Sequence, residues 1–150
     1  MKKYILLILT AIIALSSCEQ DNICVEATTP NLSIRFYDYT NPTSLKDVTE
    51  LTVWAAGKDS LYIKNTTDSI SMPLDVNKNF TYYILATEKN IDTIKFSYNR
   101  NDIYVSRSCG YKTIFEEFTA EINTSTWIKQ IEIINTIINN DTAAQVNIYH

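Results

Sequence analysis

The side chains with the richest chemistry are three cysteines, Cys18, Cys24 and Cys109, and a single histidine, His150. Two cysteines of the chain body and one histidine cannot supply the four ligands of a structural zinc site. A histidine at the last position of the sequence is poorly placed to be held as a general base, so we do not expect a Ser-His-Asp arrangement. The sequence holds only two glycines, which excludes a glycine-rich phosphate loop. We therefore expect no enzymatic activity, no metal and no cofactor.

The first cysteine, Cys18, ends a segment that is typical of an exported lipoprotein. Lys2 and Lys3 precede an apolar run over residues 4–14, which is too short to cross a bilayer as a helix. Residues 15–18 read Leu-Ser-Ser-Cys, which resembles the bacterial lipobox. That resemblance implies acylation of the Cys18 thiol and cleavage just before it, so residues 1–17 are predicted to be a signal helix that is removed. A plain secretory signal with an incidental cysteine is the alternative.

The two remaining cysteines, Cys24 and Cys109, are predicted to form a disulfide. If Cys18 carries lipid, they are the last two thiols of a protein in an oxidising compartment, where unpaired cysteines are uncommon. The alternative is a pair of free buried thiols. Residues 18–23 then form a short tether that reaches only about 20 Å when fully extended. We expect the domain to lie close to the membrane.

The charge of the chain limits its partners. Residues 1–17 contain two of the 13 basic residues and none of the 17 acidic ones, so the mature chain has 11 basic and 17 acidic residues. An acidic chain is a poor ligand for nucleic acid and for anionic lipid. Membrane attachment is therefore expected to depend on the acyl chains at Cys18.

The pattern of apolar residues after the tether has a period of two, and turn-forming residues interrupt it at short intervals. We predict one all-β domain over residues 24–150, built as an antiparallel two-sheet sandwich of the immunoglobulin-like type. The alternating positions predict these core residues: Leu32, Ile34, Phe36, Val53, Ile84, Phe96 and Ile133.

Two segments fit more than one structure. Residues 127–138 have apolar side chains at helical spacing, but β-branched residues dominate and no capping box precedes them, so we predict a strand. Residues 111–122 fit a helix and a strand equally well, and the choice stays open at this point.

Aromatic side chains are the main hint of a binding function. The chain has ten tyrosines, and rigid aromatic surfaces bind glycans and peptides at a low cost in conformational entropy. Five tyrosines on or near the polar side of their strands make up the predicted surface: Tyr37, Tyr39, Tyr62, Tyr83 and Tyr104. We expect a non-catalytic binding or accessory module with a protein or glycan partner. The alternatives are that the tyrosines only pack near strand ends, and that the chain is a structural subunit joined through a strand edge.

Four segments resemble an uncharacterised family of small Bacteroidota lipoproteins. They read Asp-Asn-Ile-Cys at residues 21–24, Leu-Ser-Ile-Arg-Phe-Tyr-Asp at 32–38 followed by Asn-Pro at 41–42, Val-Ser-Arg-Ser-Cys-Gly-Tyr at 105–111 and Val-Asn-Ile-Tyr at 146–149. The resemblance implies a small β-rich lipoprotein of the cell envelope, which we expect at the outer membrane. It implies no activity, ligand or catalytic residue.

Overall fold

The computed structural model describes residue 24, residues 28–140 and residues 143–150. The predicted signal peptide, residues 1–17, and the predicted lipidation site, Cys18, lie outside the described residues. The described chain forms nine strands: β1 (Leu32–Tyr37), β2 (Val48–Ala55), β3 (Ser60–Thr67), β4 (Ser69–Met72), β5 (Phe80–Ala86), β6 (Ile91–Ser106), β7 (Gly110–Thr124), β8 (Gln130–Ile133) and β9 (Val146–Tyr149). Within these ranges there is no helix of the length and apolar character that crossing a membrane requires. The prediction of an all-β domain is confirmed.

The strands form two sheets that pack face to face, as predicted. The four-stranded sheet has the order β4-β1-β9-β8, and the five-stranded sheet has the order β3-β2-β5-β6-β7. The prediction that all strands pair antiparallel is wrong for one pair. Strands β1 and β9 run parallel, with Ile34 beside Val146 and Phe36 beside Ile148. A parallel pair needs a long connection, and almost the whole domain lies between these two strands. Alternation along a strand carries no information about the direction of its neighbour.

The core lies between the two sheets, and most of its predicted members are buried. Leu32, Ile34, Phe36, Val53 and Phe96 are all at most 1 % exposed. Ile133 is half-buried and packs against this core.

The phase predicted for β5 is wrong. Ile84 is only half-buried, whereas Tyr83 and Leu85 fill the core. The strand lies between β2 and β6 in the five-stranded sheet, and large apolar side chains occupy both of its faces. Periodicity alone cannot select the inner face of such a strand.

Both ambiguous segments contain strands. Residues 111–122 lie within β7, and the strand predicted over residues 127–138 is confirmed for Gln130–Ile133 only. The flanking loop residues Ile128 and Ile138 are buried all the same. Their apolar character therefore reports burial in the core, and the helical spacing is incidental.

Strands β6 and β7 form a long hairpin, whose base packs on the core through Phe115 and whose tip extends past the sandwich. We call residues 99–116 the arm and residues 103–112 the arm tip; the arm pairs from Asn99 opposite Glu116 to Ser106 opposite Gly110. Cys24 is joined to Cys109 at this tip by a disulfide with a Cα–Cα distance of 4.9 Å, which confirms the predicted pairing. The start of the described chain is thereby fixed to the end of the arm.

Candidate binding cleft

An open cleft is present at one end of the sandwich. It lies between the turn that joins β2 to β3 and the connection between β4 and β5, and it has a volume of about 680 Å³. This volume is within the range of small-ligand sites. Three apolar side chains that line it, Leu61, Val76 and Phe80, are each about two-fifths exposed or more. The cleft therefore presents an apolar surface to an incoming partner.

Buried hydroxyl groups hold one wall of the cleft in place. The Tyr83 hydroxyl donates to the carbonyl oxygen of Pro73, and the Tyr98 hydroxyl donates to the carbonyl oxygen of Asp75 at 3.0 Å. The Thr81 hydroxyl accepts from the Asp75 amide at 2.9 Å. Burial raises the pKa of both tyrosines, so both hydroxyls remain protonated donors at neutral pH. The β4–β5 connection is thus tied to the strands beneath it.

A guanidinium at the base of the arm holds the same wall from its other end. Arg100 donates from Nε to Asn79 Oδ1 at 3.0 Å and from Nη1 to the carbonyl oxygen of Val76. The Asn79 carbonyl oxygen also accepts the Tyr98 amide at 2.9 Å. A wall fixed before binding reduces the conformational entropy that a ligand must overcome.

The rim of the cleft carries positive charge close to its aromatic side chain. The ammonium groups of Lys78 and Lys95 lie 5.9 Å and 6.0 Å from the centre of the Phe80 ring, within cation–π range. Tyr82 packs edge-on against Phe80, with ring centres 5.6 Å apart. The lining contains Lys58 as well, together with two aspartates, Asp59 and Asp75. The ammonium groups beside the Phe80 ring suit a partner with an apolar group next to a negative charge.

The described residues contain no group of three or more histidine, cysteine, aspartate or glutamate side chains that could hold a metal ion.

The side chain of His150 is held firmly, although we expected a histidine at this position to be poorly held. Its ring packs edge-on against Trp127 at 5.4 Å and Phe36 at 6.1 Å, and its amide donates to the carbonyl oxygen of Tyr37. Burial lowers the pKa of its imidazole. These contacts give His150 a packing role.

The five tyrosines of the predicted surface are distributed over both sheets and one loop. Tyr83 is 1 % exposed, so its predicted outward orientation is wrong; it belongs to the buried side of β5. Tyr37 is half-buried against Tyr149, with ring centres 5.7 Å apart. The Tyr62 hydroxyl bonds both backbone polar atoms of Ser71 on the edge strand β4.

The other two of these tyrosines are exposed. Tyr39 lies in the loop after β1 and is 52 % exposed, and Tyr104 lies on the arm tip and is 54 % exposed. Tyr104 packs edge-on against Tyr111, with ring centres 5.4 Å apart. A binding role for these two residues stays a prediction.

Of the five tyrosines predicted as a binding surface, Tyr83 is among the residues that line the cleft, whereas the exposed apolar residues of the cleft were missed. Val76 stands between turn-forming residues, where an apolar side chain has no core to fill, and this was the available signal. Phe80 and Leu61 look like ordinary strand residues in the sequence. Their exposure follows from their positions near strand ends beside the β4–β5 connection.

Comparison with known protein families gives a match. The model of a family of unknown function, DUF6452, matches residues 50–150. This range covers β3 to β9, most of β2, the cleft and the arm. No curated protein and no solved structure matches the chain.

Proposed function

The chain belongs to the family of unknown function DUF6452, and we propose that it is a non-catalytic lipoprotein of the bacterial envelope that binds a partner in its cleft. The observation that carries this proposal is the apolar cleft of about 680 Å³ with lysines around Phe80. We propose as the partner a protein segment with an apolar side chain beside an acidic one. Aliphatic Leu61 and Val76 extend the apolar surface beyond the Phe80 ring, which favours a peptide with an apolar side chain over a glycan.

The membrane attachment is part of the same proposal. The lysines at positions 2 and 3, the apolar run and the Leu-Ser-Ser-Cys segment support acylation at Cys18. The proposed location at the outer membrane of a Bacteroidota cell is supported by the resemblance to lipoproteins of that group. We also propose that the sandwich is immunoglobulin-like, an architecture that often presents binding loops at its ends. The cleft, which is formed by a turn and a connection, is such an end.

Assembly through a strand edge is less well supported. The edge strands β4 and β8 have four residues each. The edge strands of the other sheet, β3 and β7, are longer, with 8 and 15 residues. Both pair with register shifts, and Lys64 in β3 and Glu117 in β7 each have a φ of 51°. Short and irregular edges oppose the addition of another strand.

The lipid attachment is tested by replacing Cys18 with alanine. We expect wild-type cells fed an alkyne-labelled fatty acid to give a labelled protein, and Cys18→Ala to give none, because Cys18 is the cysteine of the lipobox-like segment. Cys24→Ser is the control for loss of a nearby cysteine and should keep the label. Equal labelling of Cys18→Ala and wild type would contradict lipidation at this position.

The cleft is tested by a photoreactive amino acid, p-benzoylphenylalanine, placed at Leu61 in intact cells. We expect a discrete adduct with one protein. Phe80→Ala should weaken that partner's binding by about 2 kcal/mol, roughly thirty-fold, because it removes an aromatic contact surrounded by apolar neighbours.

The control for this experiment is the same photoreactive group at Ile91, which is 55 % exposed and lies outside the cleft. We expect little adduct from this position. Adducts of equal yield at both positions, or an adduct at Leu61 that Phe80→Ala leaves unchanged, would refute a role for the cleft.

A further inference from the structure

The disulfide connects the tether to one defined end of the molecule. Cys24 is bonded to Cys109 in the turn of the arm tip, with a Cα–Cα distance of 4.9 Å. Hydrogen bonds order this turn, because the Cys109 amide donates to Ser106 Oγ at 3.1 Å and the hydroxyls of Ser106 and Ser108 are 3.1 Å apart. The arm tip is therefore the point from which the chain leads back toward Cys18.

The length of the tether limits how far the arm tip can lie from a lipid attached to Cys18. Five residues separate Cys18 from Cys24, and the connection spans at most about 20 Å. Strand β6, which runs from the far end of the sandwich to the arm tip, has 16 residues and is roughly 50 Å long. A domain that stood upright on its far end would hold its tethered end about 50 Å from the membrane, beyond the reach of the tether.

The arm tip carries side chains that suit a lipid–water interface. Tyr104 and Tyr111 lie directly opposite each other across the hairpin and are 54 % and 71 % exposed. Ile103 is a further exposed apolar residue, at 37 %. Tyrosine rings favour the headgroup level of a bilayer, where the ring is in an apolar layer and the hydroxyl is in water. The only charged residues of the arm tip are the basic Arg107 and Lys112.

We propose that the arm tip is the membrane-contacting surface of this protein and that Tyr104 and Tyr111 insert their rings at the lipid headgroup level. The inference rests on the proposed acylation of Cys18, and it adds the orientation of the domain and the residues that set it. The tether carries the acidic residues Glu19 and Asp21, whose negative charges offset the positive charges of the arm tip. The proposal therefore does not depend on attraction between the arm tip and anionic lipid. The contact is expected on zwitterionic bilayers.

The test uses the full chain, exported and acylated in cells and then reconstituted into phosphatidylcholine vesicles with or without brominated acyl chains. Bromine quenches tryptophan only near the lipid. In Tyr111→Trp we expect brominated lipid to remove most of the fluorescence that the new tryptophan adds to that of Trp54 and Trp127. The matched control is Tyr39→Trp, which is equally conservative, lies at an exposed tyrosine (52 %) after β1 and should lose none of its added fluorescence.

The intact mass separates the two proposals. A protein without acyl chains would overturn the proposed lipoprotein and this inference with it. An acylated protein whose tryptophan at position 111 is not quenched, or is quenched no more than the one at position 39, would overturn the orientation alone. If Tyr111→Trp does not give a cooperative melt, Tyr104→Trp on the opposite strand replaces it with the same expected quenching.

Discussion

Replacing Asp92 with alanine is expected to lower the free energy of unfolding by roughly 3 to 5 kcal/mol, a large effect for a single side chain. Asp92 is 0 % exposed, and its carboxylate accepts hydrogen bonds from a loop more than 30 residues away. One oxygen accepts the amide and the hydroxyl of Thr126, and the other accepts the amides of Trp127 at 2.9 Å and Ile128 at 2.8 Å. Alanine would leave these donors without the acceptor they have in the native fold. Urea unfolding of residues 21–150, produced without the signal peptide and the lipid, measures the loss of stability.

The same carboxylate predicts a dependence of stability on pH. Burial raises the pKa of Asp92, but the hydrogen bonds from Ile128, Thr126 and Trp127 outweigh it, so the pKa is below its ordinary value of 3.8. A folded-state pKa below the unfolded one stabilises the fold above pH 3.8 and loses this contribution as the pH falls through the folded-state pKa. In Asp92→Asn, which does not titrate, we expect a weaker loss of stability in this acid range.

The control for Asp92 is Asp47, an exposed aspartate between β1 and β2. Asp47→Ala should change the free energy of unfolding by less than about 0.5 kcal/mol. If the two alanine variants were equally stable, the hydrogen bonds to the loop would contribute nothing, and Asp92 would be a solvated surface residue.

Asp92 shows what the sequence alone can reveal about this fold. It precedes Ile94, Phe96 and Tyr98 on the buried side of β6, so alternation places a charged residue in the core. The pattern does not explain why an aspartate is buried there, because the hydrogen-bond partners of Asp92 lie at residues 126–128 and only the folded chain brings them close to it. Local periodicity predicted the strand and most of the core, since burial of one face is a property of the strand itself.

The candidate cleft could not be predicted from the hydrophobic pattern of the sequence, for a related reason. Its wall depends on Tyr83, Tyr98 and Arg100, whose polar ends bond the backbone of the β4–β5 connection. In the sequence, a tyrosine that fixes a loop from the core looks the same as a tyrosine that faces solvent. The disulfide could be predicted, because parity and compartment restrict cysteines without any knowledge of geometry.

Replacing Phe36 with alanine is expected to cost roughly 3 to 5 kcal/mol of stability. Phe36 is fully buried on β1, with its ring centre 6.2 Å from that of Trp127 and 6.1 Å from that of His150. Its loss would leave a cavity that these rings cannot close without moving, because Trp127 is held through its amide by Asp92 and through Nε1 by the Leu85 carbonyl oxygen.

The contrast with Tyr39 makes this last prediction specific. Tyr39 follows the same strand but is 52 % exposed, so Tyr39→Ala should cost less than about 0.5 kcal/mol. Because Phe36 and Asp92 both act on Trp127, the double variant with alanine at both positions should lose less than the two single losses added together. Additive losses would mean that Asp92 and Phe36 are not energetically coupled through Trp127. A larger loss for Tyr39→Ala than for Phe36→Ala would contradict the assignment of the buried face of β1.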